Sequence, residues 1–284
     1  MNRFGFVCGS SGLTAGLLAL SFLVFMPSNA RSAGLLDEAK ARGELLLGTE
    51  LQFAPFEFLQ DNKPVGYSID LMNLVAADLG VKIHIQDLPF ASVLPGLDAK
   101  KYDMVEATST ITKARMERYY FTLPIMDATV ALVKRKGDTS VQKPADIAGK
   151  VVGGTKGSAQ TKLLQDYVKT LPGGVQEIKE YIGSPNAFAD LQAGRIVAVA
   201  GSLPNLAYLV KTRPDAFELV LPAFGPKAYF GWLTRKDEPS KQLIDAVNAS
   251  LVKLTKNGKV KELQMKWFGV EINLPTDSIP PPLY

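Results

Sequence analysis

A run of small polar residues that leads into an arginine lies within residues 103–117, read as DMVEATSTITKARME. Its apolar start predicts a short strand, and the hydroxyl-rich continuation to Thr110 leads into a predicted helix that carries Arg115. A guanidinium can donate two parallel hydrogen bonds to one carboxylate, and the first turn of a helix has N–H groups without intrahelical partners. We therefore expect exposed amides and hydroxyls at this strand end and predict that they bind a carboxylate. On composition alone, the alternative is an ordinary turn in which Thr112 caps the helix and Arg115 is solvated.

A second predicted helix start follows the glycine-rich segment 153–158, read as GGTKGS. Its spacing does not match a phosphate-binding P-loop, and the chain has no Rossmann fingerprint, so we reject nucleotide binding. Ser158 can cap the helix that follows, and the N–H groups beside it can also bind a carboxylate. The segment is thus a second candidate for contact with an anionic ligand.

The composition argues against several other classes of function. The chain has 284 residues, 46% of them hydrophobic, which is enough for one large or two smaller cores. A formal charge of +4 without a Lys/Arg-rich run gives no indication of nucleic-acid binding. Cys8 and His84 are the only residues of their types, so we predict no metal site with nitrogen or sulfur ligands, and no cofactor. His84 lies in an alternating segment and is expected on the polar face of a strand.

The first 30 residues have the pattern of a cleavable signal peptide. Arg3 supplies the positive start, residues 13–26 supply an apolar stretch, and small residues end the segment at Ala30, with Ala33 as a second cleavage position. The alternatives are a membrane anchor, for which the apolar stretch is short, and a lipoprotein, which is disfavoured because Cys8 precedes that stretch. We predict export to the periplasm, and cleavage would leave a chain without cysteine or disulfides.

Strands and helices alternate through most of the remaining chain, which predicts an α/β fold. Strands are predicted at 45–48, 81–85, 104–105, 129–133, 151–152, 196–200, 217–221 and 229–233, and helices at 70–79, 92–100, 159–169, 186–193 and from 240 onward. The alternation is interrupted near residues 125–128 and again at the proline-rich segment 222–226. Two such crossovers predict two lobes. The proline-rich tail after residue 269 shows no periodicity and is expected to form a surface strap.

Six segments in this order resemble the periplasmic substrate-binding proteins of polar amino acid ABC importers. They span about residues 35–269 and read GTELQFAPFEF, VGYSIDLMNLVAADLGV, LPGLDAKKYDM, TSTITKARME, ADIAGKVVGGTKGS and DAVNASLVKLTKNGKVKELQMKWFG. The resemblance implies a type II periplasmic-binding fold, with two α/β lobes joined by two crossing hinge strands that close over one ligand. It assigns residues 34–125 plus 226–270 to lobe 1, residues 126–225 to lobe 2 and residues 271–284 to the tail. It also implies a monomer whose partners are permease subunits and an amino acid or other small carboxylate.

The family's ligand-binding positions can be carried over to this chain. The resemblance implies that Arg115, Thr110 and Ser158 hold the ligand's α-carboxylate and that the backbone at Thr108 holds its amino group. It places the aromatic walls at Phe53 and Phe90, and an acid for a side-chain cation at Glu50.

One position departs from the family pattern. Members that bind α-amino acids usually carry an Asp in a segment like GRxDAVxxD, whereas this chain has Ser202 at that position. A hydroxyl cannot neutralise a buried ammonium, and an unpaired buried charge is costly. Either another acid holds the ammonium or the ligand carries its cation elsewhere. Glu106 is a candidate acid, although an edge or solvent-facing position is the favoured interpretation.

Two further functions remain open from the sequence. An enzyme on the same scaffold, similar to periplasmic cyclohexadienyl dehydratases, would need a placed general acid, and turnover of prephenate or arogenate would reveal it. A receptor-type sensor is disfavoured, because the sequence contains no membrane span or fused signalling domain apart from the signal segment. The binding protein, which is not an enzyme, is the leading hypothesis.

Overall fold

The computed structural model describes Gly5 and residues 34–284, and every structural statement below refers to these residues. The predicted signal peptide, with Cys8, lies outside this range except for Gly5. Within the described part of the chain, no helix has the length and apolar character needed to cross a membrane. The same residues contain no cluster of His, Cys, Asp and Glu side chains that could hold a metal ion.

Strands and helices alternate along the described chain. The strands are β1 Glu44–Thr49, β2 Gln52–Phe53, β3 Glu57–Gln60, β4 Lys63–Val65, β5 Lys82–Asp87, β6 Met104–Thr110, β7 Tyr119–Phe121, β8 Met126–Asp127, β9 Val130–Arg135, β10 Val151–Thr155, β11 Glu177–Tyr181, β12 Ala198–Ser202, β13 Phe217–Phe224 and β14 Tyr229–Arg235. The α-helices are α1 Leu35–Arg42, α2 Tyr67–Leu79, α3 Phe90–Asp98, α4 Lys113–Arg118, α5 Ala159–Val168, α6 Ser184–Gln192, α7 Leu203–Thr212, α8 Glu238–Lys256 and α9 Lys259–Phe268.

Two sheets divide these elements into two lobes. The first has the order β5-β1-β6-β14-β7, with β8 paired to β14, and the second has the order β11-β10-β12-β9-β13. In each sheet three neighbouring strands are parallel and the next one is antiparallel to them. The chain leaves the first sheet after β8 and returns to it between β13 and β14. This is the predicted α/β fold with two lobes and two crossing connections.

The core of the first lobe lies between its sheet and the helices α2 and α8. Trp232 of β14 is fully buried there, with Leu71 and Val75 of α2 and Leu243 and Val247 of α8. An apolar stripe recurs at helical spacing along α8 and is buried, namely Leu243, Ile244, Val247, Leu251 and Leu254. Burial of this stripe fixes α8 against the sheet whose strand β6 contributes residues to the site described below.

Several elements are longer than predicted or were missed. Strand β6 was expected to end at Val105 and β10 at Val152, yet they continue to Thr110 and Thr155. The small hairpin sheet β2-β3-β4, strand β11 and helix α7 were not predicted. In the case of β6, pairing with β14 reaches Thr110, so the partner strand sets its length, and local composition does not contain this information.

The first two glycines of the glycine-rich segment 153–158 lie within strand β10. A Cβ atom at Gly154 would lie 2.3 Å from Thr161 Oγ1, and one at Gly153 would lie 2.7 Å from Ile196 Cδ1. These glycines therefore allow α5 and the segment before β12 to pack closely on the sheet. Gly157, with a φ of 77°, then turns the chain into α5.

The tail after α9 packs against the first lobe. Gln264 of α9 donates from Nε2 to the carbonyl of Ile272 at 3.1 Å and accepts from its N–H at 3.0 Å. The backbone N–H of Lys113 donates to the carbonyl oxygen of Tyr284 at 2.9 Å. Hydrogen bonds from a glutamine side chain at one end and from a backbone N–H at the other thus connect this segment to helices of lobe 1.

Candidate ligand-binding cleft

A narrow cavity lies where the two lobes meet. Residues from both lobes line it, namely Glu50, Phe53, Glu57, Phe90, Thr108 and Thr110 from the first and Thr155, Ser158, Gln160, Ser184, Phe188, Val199, Ala200, Gly201 and Asn205 from the second. Mixed aromatic, hydroxyl, amide and carboxyl groups of this kind are typical of a site for a small polar molecule.

Strand β6 brings two of the predicted ligand contacts, Thr108 and Thr110, to this cavity. Thr108 and Thr110 are separated by one residue, so their side chains lie on the same face of the strand. The prediction that these hydroxyls are exposed at a strand end was wrong, because both residues are at most 3% exposed. Strand β14 covers one edge of β6, and Gln160 Nε2 of the other lobe donates to Thr110 Oγ1 at 3.3 Å.

Arg115 lies beside the cavity, in the first turn of α4. Thr112 caps this helix, as in the alternative interpretation of the sequence, and its Oγ1 accepts a hydrogen bond from the Arg115 N–H at 3.3 Å. The guanidinium donates to the carbonyl oxygens of Thr110 at 3.1 Å and Gly157 at 3.3 Å. It lies 5.7 Å from the centroid of the Phe90 ring. Burial lowers its pKa to about 10, so the group stays positively charged at neutral pH.

The two predicted aromatic walls both reach the cavity. Phe53 also stacks on Phe56, with ring centroids 5.3 Å apart, and packs against the core of the first lobe. Phe90 packs against a second hydrophobic cluster, which includes Val93 and Leu97 of α3, and it contacts Arg115. Each ring therefore has one side supported by the protein, which holds it rigidly toward the cavity.

Ser158 begins helix α5 at the cavity. Its Oγ accepts from the N–H of Thr161 at 3.1 Å, so the predicted N-cap is confirmed. Thr161 Oγ1 in turn donates to the carbonyl of Thr155 at 2.8 Å. These bonds, with the close approach at Gly154, fix the first turn of α5 on the opposite side of the cavity from β6.

Glu50 places a carboxyl group in the cavity wall. The residue is 4% exposed, and within the described chain its Oε1 has no hydrogen-bond partner. Burial, together with repulsion from Asp87, raises the pKa of Glu50 to about 7. A ligand that donates a hydrogen bond or carries a positive charge would satisfy this oxygen.

Glu57 is a second cavity-lining acid, which the sequence did not single out. The residue is 1% exposed, and its carboxylate accepts from the backbone N–H of Thr108 at 2.8 Å and also from Thr108 Oγ1. Burial and the neighbouring Glu106 raise the pKa of Glu57 well above its usual range. Its position in the aromatic segment APFEF, at the start of β3, gave no sequence signal beyond a charged residue among apolar ones.

Ser202 does not line the cavity. It ends β12 and caps α7 without a side-chain hydrogen bond, and its buried Oγ has no partner among the described residues. The preceding residue, Gly201, does line the cavity.

The favoured expectation for Glu106, an edge or solvent-facing position, was wrong. Its strand β6 has β1 on one side and β14 on the other, so the residue is fully buried. Thr49 Oγ1 donates to its carboxyl at 2.6 Å, and Ser68 Oγ donates to the other oxygen. Burial raises the pKa of Glu106 to about 7. The side chain is absent from the cavity lining, so its hydrogen bonds are internal to lobe 1.

Comparison with known proteins identifies the family. Residues 45–270 match the bacterial extracellular solute-binding proteins, family 3. The chain belongs to this family. In this solute-binding protein, six of the eight predicted contacts line one cavity, namely Glu50, Phe53, Phe90, Thr108, Thr110 and Ser158. Arg115 lies beside the cavity, and Ser202 directly follows the cavity-lining residue Gly201 in the chain.

Individual relatives resemble this solute-binding protein along most of its length. It is 30% identical over 260 residues to the L-cystine-binding protein TcyJ of Escherichia coli, covering 90% of this chain and 95% of the relative. It is 29% identical over 238 residues to the ABC transporter arginine-binding protein 1 of the same species, covering 81% and 93%. The crystal structure of a mutant of ArgBP from T. maritima is 31% identical, with a TM-score of 0.76, and the alignment covers 83% of this chain and 100% of that one.

Proposed function

We propose that this solute-binding protein captures an amino acid, or a related small molecule with a carboxylate, and delivers it to the permease subunits of an ABC importer. The observation that carries the proposal is a cavity at the junction of two lobes, with the unpartnered acid Glu50 in its wall and the guanidinium of Arg115 beside it. An amino acid has the opposite charges that these groups require. Relatives named for cystine and arginine support this ligand class.

The residue roles form part of the proposal. Arg115, Thr110 and the first turn of α5 at Ser158 bind the α-carboxylate, and the backbone of Thr108 lies near the amino group. Phe53 and Phe90 enclose the ligand from two sides, and exclusion of water strengthens the polar contacts between them. Glu50 accepts from a donor on the ligand side chain. Ser202 occupies the position at which family members usually carry the Asp that binds the ammonium group.

The molecular setting is proposed on the same basis. We take residues 34–125 plus 226–270 as lobe 1, residues 126–225 as lobe 2 and residues 271–284 as a tail, with closure around the two crossings after β8 and β13. Hydrogen bonds across the cleft, such as Ser184 Oγ to the carbonyl of Gln52 at 3.0 Å, support a closed state. A monomer, exported to the periplasm through a cleavable signal peptide in residues 1–30, fits the family's description as extracellular proteins.

Calorimetry against a panel of amino acids tests the proposal. Protein freed of bound ligand by unfolding and refolding is titrated with the standard L-amino acids and with L-cystine. We expect one-to-one binding of at least one of them, with a stabilisation of roughly 2.7 kcal/mol at about 100 times the dissociation constant. If no amino acid binds, the proposed function is wrong.

We further propose that the protein has no catalytic activity. The names of its relatives describe binding proteins. Of the two acids in the cavity wall, Glu50 is assigned to the ligand side chain, and Glu57 accepts hydrogen bonds from Thr108. Incubation with prephenate and with arogenate should leave both compounds unchanged by chromatography. Formation of an aromatic product would instead establish a dehydratase.

A further inference from the structure

Lobe 1 contains a group of buried carboxyls without basic partners. Among the described residues, no Lys, Arg or His nitrogen lies within salt-bridge distance of Glu50, Glu57 or Glu106. Glu106 is satisfied by two hydroxyl donors and does not reach the cavity. Glu50 and Glu57 both reach it. A buried acid is costly without a counter-charge, so these two acids need an explanation beyond the fold.

The environment of Glu57 fixes the direction of its carboxylate. Both protein donors to it come from Thr108, the N–H at 2.8 Å and the Oγ1 hydroxyl. A carboxylate has about four acceptor positions, so two remain after these bonds. Because the residue is 1% exposed and lines the cavity, a molecule in the cavity is the remaining source of donors.

The spacing along β6 relates Glu57 to the proposed carboxylate site. Thr108, which holds Glu57, and Thr110, whose carbonyl accepts from Arg115, lie two residues apart on one strand face. That spacing is about 7 Å in an extended strand. The carboxylate and ammonium of an α-amino acid are separated by one carbon atom, and each group reaches its partner over a hydrogen bond of about 3 Å. One amino acid can therefore contact Arg115 and Glu57 together.

We propose that Glu57 binds the α-ammonium group of the ligand. Ser202 carries no charge and does not line the cavity, and the side-chain amide of Asn205 is neutral, so neither can neutralise an ammonium. The inference rests on the proposed function and assigns one subsite within it. Glu50 remains available for a donor on the ligand side chain.

Matched ligands with and without the α-amino group test the assignment. The probes are L-arginine with 5-guanidinopentanoic acid, and L-cystine with 3,3′-dithiodipropionic acid. Glu57→Gln removes the charge with little change in volume, and we expect affinity for the amino acid to fall at least about tenfold. Affinity for the analogue without the amino group should change less than about twofold, because that compound makes no ammonium contact.

Glu106→Gln is the matched control. It makes the same substitution at a fully buried acid of the same lobe that does not reach the cavity. It should lower affinity for neither probe, because loss of the neighbouring charge of Glu106 favours the carboxylate form of Glu57. Equal effects of Glu57→Gln on both members of a probe pair, or no effect on either, would overturn the assignment. If the parent binds neither of these two amino acids, the same comparison uses the amino acid found in the panel and its analogue without the α-amino group. A parent that binds no amino acid of the panel would count against the proposed function, and the Glu57 assignment would fall with it.

A measurement on the unmodified protein covers the case in which Glu57→Gln does not fold. Glu57 faces Glu106 from β6 and Glu50 from the turn before β2, and Asp87 of β5 lies near Glu50, so the empty site favours the protonated acid. A bound ammonium favours the carboxylate, and a proton is released. Calorimetry at about pH 6 in two buffers of different ionisation enthalpy counts these protons. L-Arginine should release more protons than 5-guanidinopentanoic acid, and equal release would overturn the proposal.

Discussion

Arg115 has unused hydrogen-bond donors at the edge of the cleft. Carbonyl oxygens of Thr110 and Gly157 each accept from one of its terminal nitrogens, and a guanidinium carries five N–H groups. The ring of Phe90 limits the positions that the side chain can adopt. The remaining donors can therefore meet a carboxylate in a fixed geometry.

Arg115→Ala should weaken ligand binding strongly. Loss of the partner of a desolvated carboxylate costs about 2 to 5 kcal/mol, which corresponds to a loss of affinity of roughly 30-fold or more. Titration calorimetry with the amino acid found in the panel measures the effect. Arg118→Ala on the same helix is the control, because that side chain is exposed and pairs with Asp98. An Arg115→Ala protein that binds as tightly as the parent would refute the carboxylate clamp.

Glu106 should make the stability of the protein depend on pH. Burial raises its pKa from 4.5 to about 7, so within this range the folded protein holds a proton that the unfolded chain releases. Stability is therefore fully retained below about pH 4.5 and falls as pH rises toward 7, by up to about 3 kcal/mol.

Urea unfolding of the parent and of Glu106→Gln at about pH 5 and pH 8 tests this effect. The variant should lose less stability between the two conditions, because its amide does not titrate. The difference between the two curves reports the loss of the Glu106 carboxyl, including its effect on the pKa of the neighbouring Glu57. Parallel curves would show that the acid does not change its protonation on folding.

At the scale of elements, the contact between β10 and α5 positions one side of the cleft. A Cβ atom at Gly154 would lie 2.3 Å from Thr161 Oγ1, whose hydroxyl donates to the carbonyl of Thr155. Thr161 also donates its N–H to Ser158, at the start of α5. Close packing and the helix cap are therefore connected through a single threonine.

Gly154→Ala should destabilise lobe 2. Additional volume in a packed interface typically costs about 1 to 3 kcal/mol, because the helix or the side chain must move. Thermal or urea unfolding measures the loss, and Thr161→Ala in the same chain should recover part of it by removing the nearest atom. Full stability of the single variant would show that α5 is free to shift away from the strand.

At the scale of the whole molecule, a few polar contacts join the lobes across the cleft. They include Gln160 to Thr110 Oγ1, Ser184 to the carbonyl of Gln52, and Arg115 to the carbonyl of Gly157. Such bonds contribute only about 0.5 to 1.5 kcal/mol each in net terms, so the lobes can separate when the ligand leaves. The two backbone crossings would then act as the hinge.

Solution scattering should detect this movement. We expect the radius of gyration to decrease when the amino acid found in the panel reaches saturation, because the ligand connects groups of both lobes. The Arg115→Ala protein at the same ligand concentration is the control, because it binds the ligand weakly and its radius of gyration should decrease less. An unchanged radius in the saturated parent would contradict hinge closure.

The sequence by itself determined the features that depend on neighbouring residues. Ser158 caps its helix as predicted, and Thr112 forms the cap that belonged to the alternative interpretation of its segment. In both cases a hydroxyl before a helix accepts from the N–H three residues on. The apolar spacing of α8 and the alternation of strands and helices gave the α/β fold with two lobes. The segments that resemble the family indicated six residues that line the cavity.

Only the tertiary structure decided the features that depend on partners distant along the chain. The length of β6 and the burial of Glu106 follow from pairing with β14, which lies more than 100 residues later. The contact of Glu57 with Thr108 joins residues 51 positions apart, and no local pattern marks it. The reason is physical, because propensity and spacing act over one or two turns, whereas the burial of a carboxyl depends on everything that packs around it.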